Sequence, residues 1–455
     1  MAPRSRQDDP RRLAWRVLTA VEAGAFADAA LGVALHEVTL APRDRGLATQ
    51  LVYGTLAWQG LLDHVLGQLG RAPAALDPPV RTLLRLALFQ LIKLDRVPDF
   101  AAVDTAVNLA KSLKGGAASG LVNALLRRFV REGKRLALPP ADERAAHFAV
   151  AASHPRWLVD RWMQELGESD AIALLQANNQ AAPTVLHVNR RRKDRPAVLA
   201  ALARAGVGAR PTAYAPDGIV LTTAAEPTRL PGWAEGWFSV QGEASQLVVE
   251  MLGLSAGARV LDTCAAPGGK ALAAAATAGV GGRVVALDRH RGGLERLRAE
   301  ANRMGCALAI AQADSTNLPV RGDFDAVLVD APCSGLGTLR QHPEIRWRRR
   351  PEGSADLARL QAGLLAAAAE QVGPQGVLLY ATCTIAFAEN DQVVDAFLDA
   401  HPEFAHDDPR PFLPPPAHEL IDRGGALRTF PHRHGLDGFF AVRLKRSDSS
   451  LMVRP

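Results

Sequence analysis

The sequence predicts an α/β chain in three parts. An all-helical region spans residues 1–135, a small α+β module spans 142–237, and a doubly wound, mostly parallel sheet spans 238–446. Three observations predict this. From Arg259 onward, short apolar runs alternate with helical stretches, the order of a parallel sheet covered on both faces. Two of those runs end abruptly in an acid and a glycine-bearing turn: Val260–Lys270 reads VLDTCAAPGGK and Phe324–Gly335 reads FDAVLVDAPCSG. Before Leu136, by contrast, apolar residues recur at helical spacing and strand alternation is missing.

In the N-terminal part Leu13, Val17, Leu18 and Val21 form one helical stripe. Leu47, Leu51, Leu56, Leu61, Leu62, Val65 and Leu69 form another. Asp77, Pro78 and Pro79 open a helix over Val80–Leu94. Ala102–Leu113 and Ala118–Phe129 complete a bundle, with breaks at Gly24, Gly70, Pro73 and Gly115–Gly116. Leu136–Ala141, with Pro139 and Pro140, reads as a linker. The module has helices at Pro155–Leu166, Asp170–Ala177 and Pro196–Ala205, strands at Thr184–Val188 and Ile219–Thr222, and a basic turn, Arg190 to Lys193. In the last part the expected strands are Arg259–Asp262, Arg283–Asp288, Leu308–Gln312, Phe324–Asp330 and Gly376–Ala381. Helices are expected at Ala244–Leu252, Ala271–Ala278, Gly293–Met304, Ala355–Glu370 and Glu389–His401. Gly438–Lys445 reads as a late antiparallel strand and Ser447–Pro455 as a loose tail.

Composition narrows the classes. Hydrophobic residues make up 48% and charged residues 22%, ordinary for a globular chain. No apolar run is long enough to span a membrane. Met1–Arg16 carries five arginines and two acids and has no apolar segment, so it does not read as a secretory signal. The four cysteines, Cys264, Cys306, Cys333 and Cys383, form no CxxC pair. No metal is expected, and a reducing, cytoplasmic setting is. The net charge of +6 is uneven: residues 1–135 hold 19 Lys+Arg against 12 Asp+Glu, a surplus of 7, while the rest hold 34 against 35. A basic helical part joined to a near-neutral one suggests a grip on a polyanion beside a site of chemistry. Arg127, Arg128, Arg131, Lys134 and Arg135 are the candidate phosphate face, although arginines near a helix end also complement its dipole.

Three motifs, CAAPGGK at Cys264–Lys270, DAPCSG at Asp330–Gly335 and ATCT at Ala381–Thr384, resemble the RNA (cytosine-5) methyltransferases of the NOL1/NOP2/Sun family. The resemblance covers most of the chain. It implies a class I, Rossmann-like methyltransferase domain. Leu51–Thr55 and Leu125–Arg131 resemble the helical RNA-binding domain of the antitermination factor NusB. Together these imply a 16S rRNA substrate, unassembled or partly assembled, and by resemblance cytosine 967 as its target.

For the cofactor, the residues themselves exclude two alternatives. Gly268-Gly269-Lys270 lacks the upstream glycine and the following Ser or Thr of a Walker loop, and it is not GxGxxG; ATP and NAD are disfavoured. A helix N-terminus behind a glycine turn suits a carboxylate, and the methionine end of S-adenosylmethionine fits. Asp288 ends the second strand, where an acid takes ribose hydroxyls. Asp314 follows the third strand and would meet the adenine amino group, and Asp330 would close the far side. The resemblance carries over Cys264, Ala265, Ala266, Pro267, Gly268, Gly269, Lys270, Asp288, Asp314 and Asp330 as the cofactor set, with Ala271 where the family often has Thr.

Cytosine C5 is a poor nucleophile, and a thiolate adding to C6 activates it. Cys333 and Cys383 compete for that role. The resemblance makes Cys383 the nucleophile and Cys333 the residue that assists product release, with Asp330 on the base edge. Arg340, His342, Arg346 and Trp347–Arg350 are expected to contact RNA. Two other readings stay open: a tRNA cytosine-5 methyltransferase, and a non-catalytic RNA-binding assembly factor.

Overall fold

A computed structural model describes residues 9–113 and 116–447. The break at Gly115 and residues 448–455 of the expected tail lie outside the described residues. The chain divides into two compact units: Met1–Ala181 with Leu339–Arg349, and Ala182–Thr338 with Arg350–Pro455.

The first unit is helical. Helix Pro10–Glu22 begins where Asp9 accepts the amide of Arg11 at 2.9 Å and Pro10 occupies the first turn, where its missing N–H costs nothing. Its buried stripe holds Leu13, Val17, Leu18 and Val21, as the spacing predicts. Pro78–Lys93 is buried over most of its surface. It carries Arg85 inside the bundle because Asp63 takes the guanidinium twice at 2.7 Å. Helices Arg144–Ala151, Arg156–Leu166 and Glu168–Ala177 also belong to this unit. The division at Ala181 thus falls inside the 142–237 stretch.

Leu339–Arg349 is part of the same helical unit, and this corrects one expectation. Arg346 is wholly buried and donates to Ser153 O at 3.1 Å, Asn178 O at 3.1 Å and Asn179 Oδ1 at 2.8 Å. Trp347 donates from Nε1 to Leu56 O at 3.0 Å, and Glu344 accepts the Ala27 amide at 3.0 Å. Orphan carbonyls at helix ends have recruited the guanidinium and indole as donors. Arg346 is therefore an internal anchor, and the Trp347 indole N–H is already engaged within the helical unit.

The second unit contains two sheets. In the smaller, β1 (Val185–Val188), β2 (Ala209–Pro211), β3 (Gly218–Leu221) and β4 (Phe238–Val240) run antiparallel in the order β2-β3-β1-β4. Leu186, Val188, Ile219 and Phe238 pack it against Val198 and Leu202 of helix Arg195–Arg204. The larger is built from β5 (Arg259–Asp262), β6 (Arg283–Asp288), β7 (Ala309–Gln312), β8 (Phe324–Asp330), β9 (Val372–Thr382), β10 (Phe404–His406), β11 (Leu427–Thr429) and β12 (Phe439–Arg446). Its order is β10-β12-β9-β8-β5-β6-β7, with β11 beside β12. β9, β8, β5, β6 and β7 are parallel, and β12 is antiparallel to β9. Successive residues of β8 serve opposite faces: Ala326 and Leu328 enter one core, Val327 and Val329 the other. From β5 the chain winds out to β6 and β7, then returns to β8 on the other flank. The crevice beyond the carboxyl ends of β5 and β8 is therefore the topological switch point, where ligands bind in such sheets.

Candidate active site

The switch point gathers most of the expected residues. After β5 the chain turns through Cys264–Gly268 into helix Gly269–Ala278. Gly268 has φ +119°, and a side chain there would run into Leu297. The helix start has no side-chain cap, so its amides face the loop. Asp288, at the end of β6, accepts the Ala266 amide at 3.0 Å and the His290 amide at 2.7 Å. These bonds tie the glycine turn to the neighbouring strand end. Asp314 is fully exposed and accepts the Thr316 amide at 3.0 Å and hydroxyl at 2.8 Å; the backbone bond holds its carboxyl below the usual range.

Lys270 reaches back from the helix to place Nζ 2.7 Å from Asp330 Oδ2, at the end of β8. Burial works against its charge, but the Asp330 carboxylate outweighs burial and raises its pKa. Asp262, at the end of β5, is buried; Oδ1 accepts the Cys264 amide at 3.3 Å and Oδ2 has no partner. Burial, and then repulsion from Asp330, push this carboxyl up to about 8.

The two expected thiols meet. Cys333, after β8, and Cys383, after β9, have their sulfurs 3.2 Å apart. Parallel pairing of Val329 with Tyr380 and of Asp330 with Ala381 sets the two loops side by side. The surroundings of the sulfurs differ. Cys383 is held below the ordinary thiol range, first by its contact with Cys333 and also by the Lys270 charge, against opposition from burial and Asp330. Cys333 is pushed well up by that same contact, by burial and by the charges of Cys383 and Glu389. The two thiols are thus biased in opposite directions, Cys383 toward its charged form and Cys333 toward its neutral one. Burial raises both Cys264 and Cys306, which keeps them in the neutral thiol form.

Sequence reasoning missed the residues that brace these loops. Glu389 is completely buried and accepts the Ser334 amide at 2.7 Å and Gln361 Nε2 at 3.1 Å. The Ser334 and Thr384 hydroxyls are 2.7 Å apart. Asn390 accepts Thr382 Oγ1 at 2.7 Å and donates to Thr384 O at 3.1 Å. Gly337 donates to Cys383 O at 3.0 Å and accepts the Gly438 amide at 2.7 Å, an approach so close that a side chain at Gly337 would meet the Gly438 carbonyl. The only sequence signal was a Glu-Asn pair among apolar residues before a helix, and that pattern also fits an exposed helix start.

The basic clusters are partly engaged within their own units. Arg127 bonds Asn123, Arg128 pairs with Glu132 and Lys134 with Asp99, while Arg131 and Arg135 are exposed. Arg190 pairs with Asp217 at 2.5 Å, and Lys193 lies over the Trp237 ring. Among the described residues no group of His, Cys, Asp or Glu could hold a metal ion, and no helix is long and apolar enough to cross a membrane.

Residues 249–445 match the family described as 16S rRNA methyltransferase RsmB/F, residues 8–131 the NusB family, and residues 154–227 the ferredoxin-like domain of RsmF/B-like methyltransferases. The ribosomal RNA small subunit methyltransferase B of Pseudomonas putida is 40% identical, over 87% of this chain and 90% of its own. The probable ribosomal RNA small subunit methyltransferase B of Synechocystis is 36% identical over 96% and 99%. A solved structure, of the protein designated PH0851, is 27% identical with a TM-score of 0.84, covering 96% of this chain and 98% of that one. Similarity of this extent, through all three regions, places the chain in the RsmB/F family of 16S rRNA methyltransferases.

Proposed function

We propose that this member of the family methylates C5 of a cytosine in 16S rRNA, by resemblance cytosine 967, using S-adenosylmethionine and a covalent bond from Cys383 to C6 of the base. The observation that carries the reading is the pair of thiols, 3.2 Å apart, at the switch point. An assembly factor without activity would have no use for two thiols brought into contact at a ligand edge. The rRNA target is favoured over tRNA by the small-subunit enzymes it resembles and by the NusB-like region.

The residues present fit the cofactor. The uncapped amides at Gly269 and Lys270 suit its carboxylate. Asp288 has lone pairs left for ribose hydroxyls, and the buried Asp262 Oδ2, without a partner, marks polar demand under the same loop. Cys264–Lys270, Asp288, Asp314 and Asp330 are the proposed binding set. When bound, S-adenosylmethionine supplies an electrophilic methyl group.

The remaining chemistry belongs to the chain's own residues. Cys383 thiolate adds to C6, and the C5–C6 π electrons make C5 nucleophilic. Asp330, paired with Lys270, hydrogen-bonds the cytosine edge in this reading and favours that addition. After C5 is methylated, its proton passes to solvent water, the electrons of that C–H bond re-form the C5–C6 double bond, and the C6–S bond breaks with its electron pair returning to Cys383 as thiolate. Cys333 supports that last step by donating a hydrogen bond from its S–H to the departing Cys383 sulfur. The base must be unstacked to reach the thiols, which favours unassembled or partly assembled RNA in the cytoplasm. We retain 1–135, 142–237 and 238–446 as the functional divisions.

The test is to incubate each cysteine variant with 16S rRNA and S-adenosylmethionine. Cys383→Ala should form no covalent RNA adduct. Cys333→Ala should methylate, release slowly and accumulate an adduct stable in denaturing gels. An adduct in Cys383→Ala would transfer the nucleophile to Cys333.

A further inference from the structure

We infer that Glu389 is a positioning residue that gives the two thiols their separate parts, keeping the proton on Cys333 and the negative charge on Cys383. The inference rests on the cysteine roles proposed above. Glu389 is 0% exposed, at the end of the short turn Phe387–Glu389. Its Oε2 accepts the amide of Ser334, the residue directly after Cys333, and Gln361 Nε2; its Oε1 is buried without a partner. A buried carboxylate satisfied on one oxygen is an expensive way to brace a loop, because its desolvation exceeds what two donors return. A neutral amide would hold the same two donors. The charge itself therefore calls for a use, and the amide it holds is that of the residue next to the Cys333 thiol.

The groups around the pair divide by side. Lys270, from the helix after β5, and Asp330, from β8, act on Cys383, with Asp262 behind Lys270. Glu389, from the loop after β9, acts on Cys333 and on the Tyr380 phenol. The Tyr380 hydroxyl donates to the Glu389 carbonyl at 2.6 Å, which fixes the backbone. The Ser334–Thr384 hydroxyl contact and the Gly337 amide on Cys383 O lock the two loops together. Asp330 opposes Lys270 on the Cys383 side, so that pair alone leaves little bias, and the Glu389 charge on the Cys333 side is what sets the direction of the S–H···S contact.

The test is competitive iodoacetamide labelling of the folded full-length protein without RNA, read cysteine by cysteine by mass spectrometry from about pH 6 to 9, where thiolate fraction sets the rate. In the wild type Cys383 should label first. In Glu389→Gln the Cys383:Cys333 rate ratio should fall by about tenfold, the change that one unit of relative acidity produces. Gln361→Lys, which sets an ammonium against Glu389, should lower it likewise and carries the test if Glu389→Gln does not fold. Gln361→Met keeps the Glu389 charge while removing the Nε2 group that bonds both Glu389 and the Pro332 carbonyl, and should leave the ratio unchanged. A selective wild type with unchanged ratios in Glu389→Gln and Gln361→Lys would overturn the role of Glu389 and leave the cysteine assignments standing. An equal fall in Gln361→Met would make the effect one of packing and also overturn it. A wild type without preference for Cys383 would instead refute the cysteine assignments.

Discussion

Replacing Lys270 by Met should cost both stability and the reactive form of Cys383. The ammonium lies 2.7 Å from Asp330 Oδ2 and is almost entirely buried, while Asp330 keeps 28% of its side-chain surface. At an effective dielectric of about 20 the gross attraction at that distance is about 6 kcal/mol. Desolvation of both ions offsets much of it, so the pair itself is only modestly favourable. Deleting one partner is a different matter, because the other charge stays buried. The partial exposure of Asp330 puts the loss at the low end of the range for broken buried pairs, about 3 kcal/mol. Urea unfolding with intrinsic fluorescence reads this loss. The second effect has a definite sign. Lys270 helps hold the Cys383 thiol below its ordinary range, so without it the thiolate forms at higher pH. Alkylation of Cys383 should slow at neutral pH and recover at alkaline pH. A variant within about 1 kcal/mol of wild type, with an unmoved alkylation profile, would show that the ion pair is solvated and remote from the thiol.

Three other perturbations have definite outcomes. Asp262 holds a proton up to about 8 in the folded protein and releases it near 3.8 when unfolded; the folded state binds the extra proton between those values, so wild-type stability falls as pH rises through that window. Asp262→Asn should match the wild type below the window and exceed it by several kcal/mol above, by urea titration at each pH, whereas parallel pH curves would refute the assignment. Arg346→Met strips donors from Ser153 O, Asn178 O and Asn179 Oδ1. It should destabilise the helical unit by roughly 3 kcal/mol, the scale of several orphaned buried acceptors, and expose Leu339–Arg349 to protease; unchanged cleavage would argue against that anchoring. Arg131→Glu with Arg135→Glu should weaken rRNA binding and flatten its salt dependence by about 0.7 for each phosphate no longer neutralised, and an unchanged slope would remove the phosphate role from that face.

The parallel strands were legible because a buried strand ending at a ligand edge writes itself plainly: apolar run, acid, turn. Arg259–Asp262, Arg283–Asp288 and Phe324–Asp330 fall where the sequence predicts. β9 runs longer than Gly376–Ala381 because Gly373 and Pro374 read as breakers, yet the register shift opposite Phe324 absorbs them as a bulge. β2, β4, β10 and β11 are three residues each, too short for alternation to register. Arg346 and Trp347 misled for another reason. Arginine and tryptophan near an active-site turn have the composition of an RNA contact, and only tertiary packing shows that helix-end carbonyls have claimed their donors.

The same distinction separates the reacting groups from the groups that tune them. Cys333, Cys383, Lys270 and the strand-end aspartates occupy positions fixed by local rules, a turn after a strand or a helix start after glycine. Their partners answer to no local rule. Glu389 reaches the amide after Cys333 across 55 positions of sequence, and Lys270 reaches Asp330 across 60. What a thiol does depends on which charge the sheet order brings beside it. Strand β8 lies between β5 and β9, so the lysine that follows β5 and the acid that follows β9 approach the pair from opposite flanks. Had β9 paired elsewhere, the same motifs would remain in the sequence, and the two sulfurs would have no reason to differ.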